Sequence, residues 1–292
     1  MLQECMDGLN IKPDGIYVDV TFGGGGHSRA ILEKLGSTGK LIAFDQDLDA
    51  QSNIPQDDRL VFIDRNFRYL KNSCRLHGVT AVDGILADLG VSSHQFDQAD
   101  RGFSTRFDAD LDMRMDQSAS LTAKQIINTY TEEQLHKLMG MYGEIQNAKT
   151  LAHTIVTARL NKPIETIAQF KEAIATCTPK GKEYKYLAQV FQALRIEVNQ
   201  ELEALHDFLQ QAADILKPEG RLVVMSYHSL EDRPVKNFIS KGKFSGEVEK
   251  DFFGNQIKPL EAVNRKAITA TETEIEHNNR ARSAKLRIAT KR

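Results

Sequence analysis

The sequence predicts an α/β protein, a parallel sheet wrapped by helices and interrupted by an all-helical insertion. Three observations predict it. Short Val- and Ile-rich runs alternate with helical stretches through the first ninety residues. That alternation then stops, and only helical patterns follow until about residue 205. Strand signals return at Leu222–Met225, and the chain reads as extended again from Lys258 onward. Strand–helix alternation at this spacing is how parallel sheets are built, because a parallel crossover needs a helix. The 292 residues are about two domains' worth at ~150 residues each. The expected division is a discontinuous domain of residues 1–109 and 206–292, with a helical insertion at 110–205.

Each element has a local reason. Ile16–Val20, Leu41–Phe44, Leu60–Ile63 and Val82–Leu86 are short apolar runs of strand type, and His27–Leu35 and Phe67–Leu76 are the helices between them. Leu89 to Ser120 is polar, Asp-rich and irregular, which is long for a loop without function. Thr131-Glu132-Glu133-Gln134 is a capping-box pattern opening a helix. Helices are expected over Glu144–Leu160 and Ile164–Cys177. Tyr186–Lys217 reads as one long Pro-free helix with apolar residues at helical spacing. Leu222–Met225 is a strand, and Ser229-Leu230-Glu231-Asp232 opens a further helix with Ser229 as its cap. From Lys258 onward the chain reads as extended.

Composition excludes several classes. Hydrophobic residues make up 41%, and 19 Gly complete an ordinary globular composition, so wholesale disorder is excluded. No apolar run approaches the ~18 residues a membrane helix needs. Acids near Met1 stand where a signal peptide would carry Lys or Arg. Cys5, Cys74 and Cys177 are far apart, so neither a disulfide framework nor a zinc site is expected and no metal is assigned. The expectation is a soluble cytoplasmic protein with no membrane partner. The sequence leaves oligomeric state open, a homodimer included.

Net charge is −2, from 38 Lys+Arg against 40 Asp+Glu. Residues 1–100 carry a net −6, and residues 101–200 and 201–292 carry +2 each. Between Arg280 and Arg292 lie six basic residues and no acid. Ala284-Lys285-Leu286-Arg287-Ile288-Ala289 alternates with period 2, as a half-buried strand does. The basic side chains would then share one rigid face able to meet phosphates, the alternative being a solvated tail.

The most informative local feature is Val18-Asp19-Val20-Thr21-Phe22-Gly23-Gly24-Gly25-Gly26-His27-Ser28. Four glycines between a strand and a helix let the backbone approach a ligand closely. About twenty residues on, the second strand ends in Asp45, where a carboxylate accepts ribose hydroxyls in dinucleotide-binding folds. A G-x-G-x-x-G frame starting at Gly23 ends in Ser28 rather than Gly, which disfavours NAD. S-adenosylmethionine has no pyrophosphate to cradle and is favoured. Asp19 could face its ammonium group, and Asp88 closes the fourth strand at the sheet edge where such folds bind ligands.

Seven ordered motifs then match one family: Thr21–Ser28, Asp83–Ser93, Arg101–Ser104, Leu111–Asp116, Phe191–Ile196, His228–Arg233 and Arg280–Arg287. The chain resembles the bacterial small-subunit (16S) ribosomal RNA (cytidine-N4) methyltransferases of the RsmH or MraW type, over essentially its whole length. Thr105 stands where the family has Phe, Ala109-Asp110 where it has Gly-Pro, and Asn279 where it has Pro; a short leading His-Pro-Val segment is expected to be missing before Met1. The resemblance implies a Rossmann-like class I methyltransferase sheet with an inserted all-helical domain. It implies methyl transfer from S-adenosylmethionine to the exocyclic amine of a cytidine in the ribosomal P site. It also implies that Gly25, Gly26, His27, Asp45, Phe67, Asp88 and Gln95 contact the donor, and that 16S ribosomal RNA within the small subunit is the partner.

Cytidine N4 is a weak nucleophile because its lone pair is delocalised into the ring. The chemistry therefore needs positioning and an acceptor for the amine hydrogens. Asp88 is the leading candidate for that acceptor, and Tyr227 and His228 are the further catalytic candidates. Tyr227 and Phe103 are aromatics able to stack on a base. Met113 and Met115 flank Arg114 in a segment that reads as either a packed or a closing lid. Two other function classes remain: a nucleotide-dependent oxidoreductase, and a non-catalytic RNA-binding assembly factor. The broken glycine frame counts against the first, and the intact loop with Asp45 and Asp88 counts against the second.

Overall fold

The structure is a computed structural model describing residues 1–292. Its eight strands are β1 (Ile16–Asp19), β2 (Lys40–Asp45), β3 (Leu60–Asp64), β4 (Val82–Asp88), β5 (Leu216–Ser226), β6 (Leu260–Ala262), β7 (Ile268–Thr269) and β8 (Lys285–Lys291). They form one sheet in the order β3-β2-β1-β4-β5-β8-β6, with β7 also paired to β8. Strands β1 to β5 are parallel, and β8 runs antiparallel to β5, β6 and β7. The order reverses between β1 and β4, and sheets of this kind bind ligands at such a switch point, outside the carboxyl ends of the strands.

The helices are α1 (Leu2–Leu9), α2 (Gly26–Lys34), α3 (Leu70–Leu76), α4 (Ser93–Asp97), α5 (Ala123–Thr129), α6 (Glu132–Met141), α7 (Ala148–Asn161), α8 (Ile167–Ala173), α9 (Glu183–Asn199), α10 (Glu201–Ile215), α11 (Ser229–Lys241) and α12 (Glu272–His277). The chain divides into two compact units, Met1–Gly90 with Leu202–Arg292, and Val91–Glu201. No helix is long and apolar enough to cross a membrane.

In the first unit the period of two along each strand sends alternate residues to opposite faces. Val18, Ile85, Leu222 and Val224 pack with α3, α10 and α11. Tyr17, Leu86, Val223 and Met225 pack with α1 and α2. Both faces are covered, which is why these strands read as unbroken apolar runs. The second unit has a separate core in which Leu111, Ile126, Leu151, Phe170 and Leu194 are fully buried.

Three expectations are corrected. The long helix expected over Tyr186–Lys217 is two helices, since Gln200 takes a left-handed conformation (φ 49°) and ends α9; Lys217 already belongs to β5. The helical unit spans Val91–Glu201 rather than 110–205. Its first twenty residues carry few apolar side chains, but Phe103 is buried in the helical core and Val91, Phe96 and Ala109 pack against it. The basic C-terminal residues do form a strand, yet several are already engaged. Arg287 makes a two-pronged ion pair with Asp232, at 2.6 and 3.0 Å. Lys285 lies 3.5 Å from the same carboxylate, Lys291 donates to the Ala213 carbonyl, and Arg292 pairs with Glu261.

Candidate active site

The glycine loop connects β1 to α2 at the switch point. Gly25 sits at φ +73° and caps α2, with its N–H donating to the Phe22 carbonyl at 2.7 Å. A side chain there would be strained and would come within 2.9 Å of the Phe22 ring and the Arg29 guanidinium. At Gly24 and Gly26, by contrast, nothing lies within 4 Å of where a β-carbon would stand. The loop carbonyls are tied outward: Arg29 Nη2 donates to Gly24 O at 2.6 Å and Asn53 Nδ2 to Gly23 O at 3.2 Å.

Carboxylates surround this loop. Asp19 is fully buried, and burial raises its pKa against the opposing pull of His27, Ser28 and Thr21. Its Oδ2 accepts from Ser28 Oγ at 2.7 Å and its Oδ1 from the Thr21 N–H at 3.1 Å. Asp19 therefore pins the loop from inside, rather than standing open to a ligand ammonium as the sequence suggested. Asp45 accepts from the Gly23 N–H at 2.7 Å and from the Asp47 N–H at 2.9 Å. Desolvation outweighs these bonds and pushes its pKa up to about 6. A carboxylate has about four lone-pair directions, so two remain for hydroxyl donors.

Asp88 closes β4. Its backbone N–H donates to Thr21 Oγ1 at 2.7 Å, which locks the strand end to the loop. Its Oδ1 accepts from the Tyr227 hydroxyl at 2.7 Å, and its Oδ2 faces His27 Nδ1 at 3.8 Å. The Asp88 side chain keeps about a quarter of its surface exposed, yet desolvation still raises its pKa, opposed by His27 and the Tyr227 hydroxyl. Burial and the Asp88 charge raise the Tyr227 pKa in turn, so the phenol stays a hydrogen-bond donor.

Tyr227 and His228 are held by Glu231, which is itself buried. Glu231 Oε2 accepts the Tyr227 N–H at 2.8 Å, and Oε1 lies 3.1 Å from His228 Nε2. His228 caps α11 in place of the expected Ser229. Thr21, Ser28 and Glu231 are the contributors that sequence reading missed. Glu231 carried a signal, as an acid four residues after Tyr227 in the first turn of a helix.

The remaining candidates have structural partners of their own. Phe67 is half buried, edge-on to Phe208 at 5.5 Å. Gln95 belongs to the second unit, where its side chain accepts the Ser92 N–H in the capping box of α4. Phe103 is 5% exposed, a core residue rather than a stacking surface. Met113 and Met115 are buried in the same core, and Arg114 is spent on Asp112 and on the carbonyls of Gln117 and Ala119; the segment is packed structure.

Gly25, Gly26, His27, Asp45 and Asp88 thus meet at the carboxyl edge of the sheet in the first unit. The open space at Gly24 and Gly26 leaves room for a ligand close to the backbone. Asp45 and Asp88, whose pKa values are raised by burial, gain from a cation and would repel a pyrophosphate. The donor set fits a nucleoside ligand of net positive charge, which S-adenosylmethionine is and NAD, with its two phosphates, is not.

Known proteins resemble this chain along its length. A ribosomal RNA small subunit methyltransferase H from Christiangramia forsetii is 58% identical over 291 residues, covering 100% of this chain and 96% of that protein. A protein of the same name from Parabacteroides distasonis is 58% identical over 292 residues, with the same coverage. Among solved structures, an rRNA methylase from Streptococcus thermophilus aligns over 99% of this chain and 93% of its own, with TM-score 0.41 and 12% identity. A family model described as the MraW methylase family matches residues 1–292, and with relatives this similar over the whole chain, the protein belongs to that family.

Proposed function

We propose that this protein transfers a methyl group from S-adenosylmethionine to the N4 exocyclic amine of a cytidine in small-subunit (16S) ribosomal RNA, in the P-site decoding region. The relatives' name supplies the small-subunit RNA substrate. The observation that carries the chemistry is the 2.7 Å bond from the Tyr227 hydroxyl to Asp88 at the edge of the glycine loop. Gly25, Gly26, His27, Asp45 and Asp88 are the proposed donor-binding residues, and Phe67 and Gln95 are added to them by the family resemblance alone. The helical unit, extended to Val91–Glu201, is the proposed RNA-recognition domain. The activity belongs to the cytoplasm, where the small subunit is assembled.

The donor, when bound, supplies an electrophilic methyl group on a sulfonium. The chain's own residues do the rest. Asp88 Oδ2 is the acceptor for an amine hydrogen as N4 loses its conjugation with the ring. Tyr227 holds the other oxygen, so the carboxylate cannot rotate away. His27, at 3.8 Å from Asp88 Oδ2, opposes the desolvation that raises the Asp88 pKa. Neither a strong base nor a metal is needed for this sequence, because an alkylated amine is acidic. His228 acts through Glu231, and its role is to fix the start of α11 beneath Tyr227.

Two measurements test the reading. Calorimetric titration with S-adenosylmethionine and NAD side by side should give saturable binding for the first alone. Mass mapping of 16S RNA from cells with and without the protein should show one cytidine gaining a methyl group on N4. Binding of NAD in preference, or an unchanged RNA, defeats the proposal.

A further inference from the structure

In the second unit, the eight residues Thr178-Pro179-Lys180-Gly181-Lys182-Glu183-Tyr184-Lys185 form a loop and the first three residues of α9. Lys180, Lys182, Tyr184 and Lys185 are all exposed, and Tyr184 keeps 79% of its surface in water. An aromatic ring left this open among three cations is not explained by packing, since the next aromatic, Tyr186, is 5% exposed.

The segment is nonetheless built. Asn147 ties both of its ends: Nδ2 donates to the Cys177 carbonyl at 2.9 Å, and Oδ1 accepts the Tyr186 hydroxyl at 3.0 Å. Inside it, the Lys182 N–H donates to Pro179 O at 3.1 Å, closing a turn through Gly181 at φ +76°. Glu183 is the one acid in the segment, and its carboxylate accepts the Gly181 N–H at 2.8 Å, so it is turned onto the backbone. Fixed ends, an acid held by the backbone, and three free ammonium groups around an open ring form a surface complementary to a nucleic-acid strand. Lysine neutralises phosphates as a point charge, and a ring with a free face stacks on any base.

We infer that the segment Thr178–Lys185, a loop and the start of α9, is an RNA grip in which Lys180, Lys182 and Lys185 meet backbone phosphates and Tyr184 stacks on one unpaired base. The inference rests on the reading of the second unit as the RNA-recognition domain, and goes beyond it by naming the element, the contacts and the single-stranded character of the RNA it takes.

The chain contains no Trp, so Tyr184→Trp places the sole indole of the protein at the loop. Titration of that variant with a mixed-sequence single-stranded oligoribonucleotide, and with 16S RNA, should quench its emission as binding saturates. Tyr184→Ala should weaken binding about tenfold. Lys180→Ala/Lys182→Ala/Lys185→Ala should lower the slope of log affinity against log salt by about 2. All four side chains are exposed, so melting curves should match wild type. Indole emission unchanged at saturation, or a triple variant with the wild-type slope, overturns the grip while leaving the broader reading standing. A triple variant that binds 16S RNA normally but loses the assembled small subunit assigns the loop to a ribosomal protein and equally overturns it. Wild-type protein that binds S-adenosylmethionine but no RNA defeats the broader reading instead.

Discussion

The hydroxyl of Tyr227, on the chain just beyond β5, donates to Asp88 Oδ1 at the end of β4 across 2.7 Å. The two residues are brought together by the β4–β5 pairing, in which Asp88 is opposite Met225. The bond fixes one carboxylate oxygen and leaves Oδ2 on the side of His27. It also gives the phenol a task different from base stacking.

Asp88→Asn tests that carboxylate. The substitution keeps shape, removes the charge and turns one acceptor into a donor. We predict a fall in single-turnover methylation at saturating donor of about 10²–10³-fold, with a smaller change in donor affinity. Full recovery of turnover at saturating donor would move Asp88 from the chemistry to donor binding.

Tyr227→Phe removes one hydrogen bond to a charged group, worth about 1.5–3 kcal/mol. The Tyr227 hydroxyl holds the Asp88 pKa down against desolvation, so its loss lets that pKa rise further. Activity that needs ionised Asp88 then sets in at higher pH. We predict a pH–rate profile whose acid limb moves to higher pH, with the plateau reduced. A profile unmoved along the pH axis contradicts the pairing.

Asp45, at about 6, gives the donor site its own pH signature. In the proposed site ribose hydroxyls would donate to the ionised carboxylate, so bound donor should favour deprotonation. Affinity for S-adenosylmethionine should fall as pH drops through about 6 and level off above it. For the free protein the sign is opposite: a raised acid pKa contributes stability at low pH that is lost as pH rises from about 4 through 6. Calorimetry on wild type and Asp45→Asn checks this, because the variant should bind weakly with the step near pH 6 removed.

Glu231→Ala should act on both stability and rate. It leaves the Tyr227 N–H without its acceptor, a loss of about 1–3 kcal/mol for a buried donor, readable as a lower Tm. Glu231→Gln keeps an acceptor oxygen for that N–H and should recover most of the melting temperature. It should not recover the rate fully if His228 needs the negative charge beside it. Equal rates in Gln and wild type would reduce Glu231 to a structural support.

The sheet was legible because strands buried on both faces show as apolar runs, and Asp45 and Asp88 were legible because each closes such a run. The helical unit was harder to read for a specific reason. Four of its helices, α4, α5, α6 and α8, open with a Ser or Thr cap followed three residues later by Gln: Ser92/Gln95, Thr122/Gln125, Thr131/Gln134 and Thr166/Gln169. Only Thr131 and Gln134 were read as such, since polar surroundings concealed the others. The break at Gln200 escaped because a non-glycine left-handed residue carries no compositional mark. The Asp88–Tyr227 pair was invisible for a different reason, namely that sequence distance says nothing about which strand ends are neighbours.

The discontinuity of the first unit has a consequence for synthesis on the ribosome. Strand β4 emerges early, but its neighbour β5 follows only after the whole of Val91–Glu201 has been made. The second unit has its own core and is contiguous in sequence, so it can fold while the sheet is still half a sheet with β4 as a bare edge. An exposed edge of this kind invites wrong pairing. Asp88 and the glycine loop are therefore complete in sequence long before Tyr227 and Glu231 exist to hold them. A nascent chain carrying every proposed donor-binding residue of the first ninety positions would still lack the Tyr227 hydroxyl that holds Asp88, and on the proposed mechanism chemical competence arrives with the last third of translation.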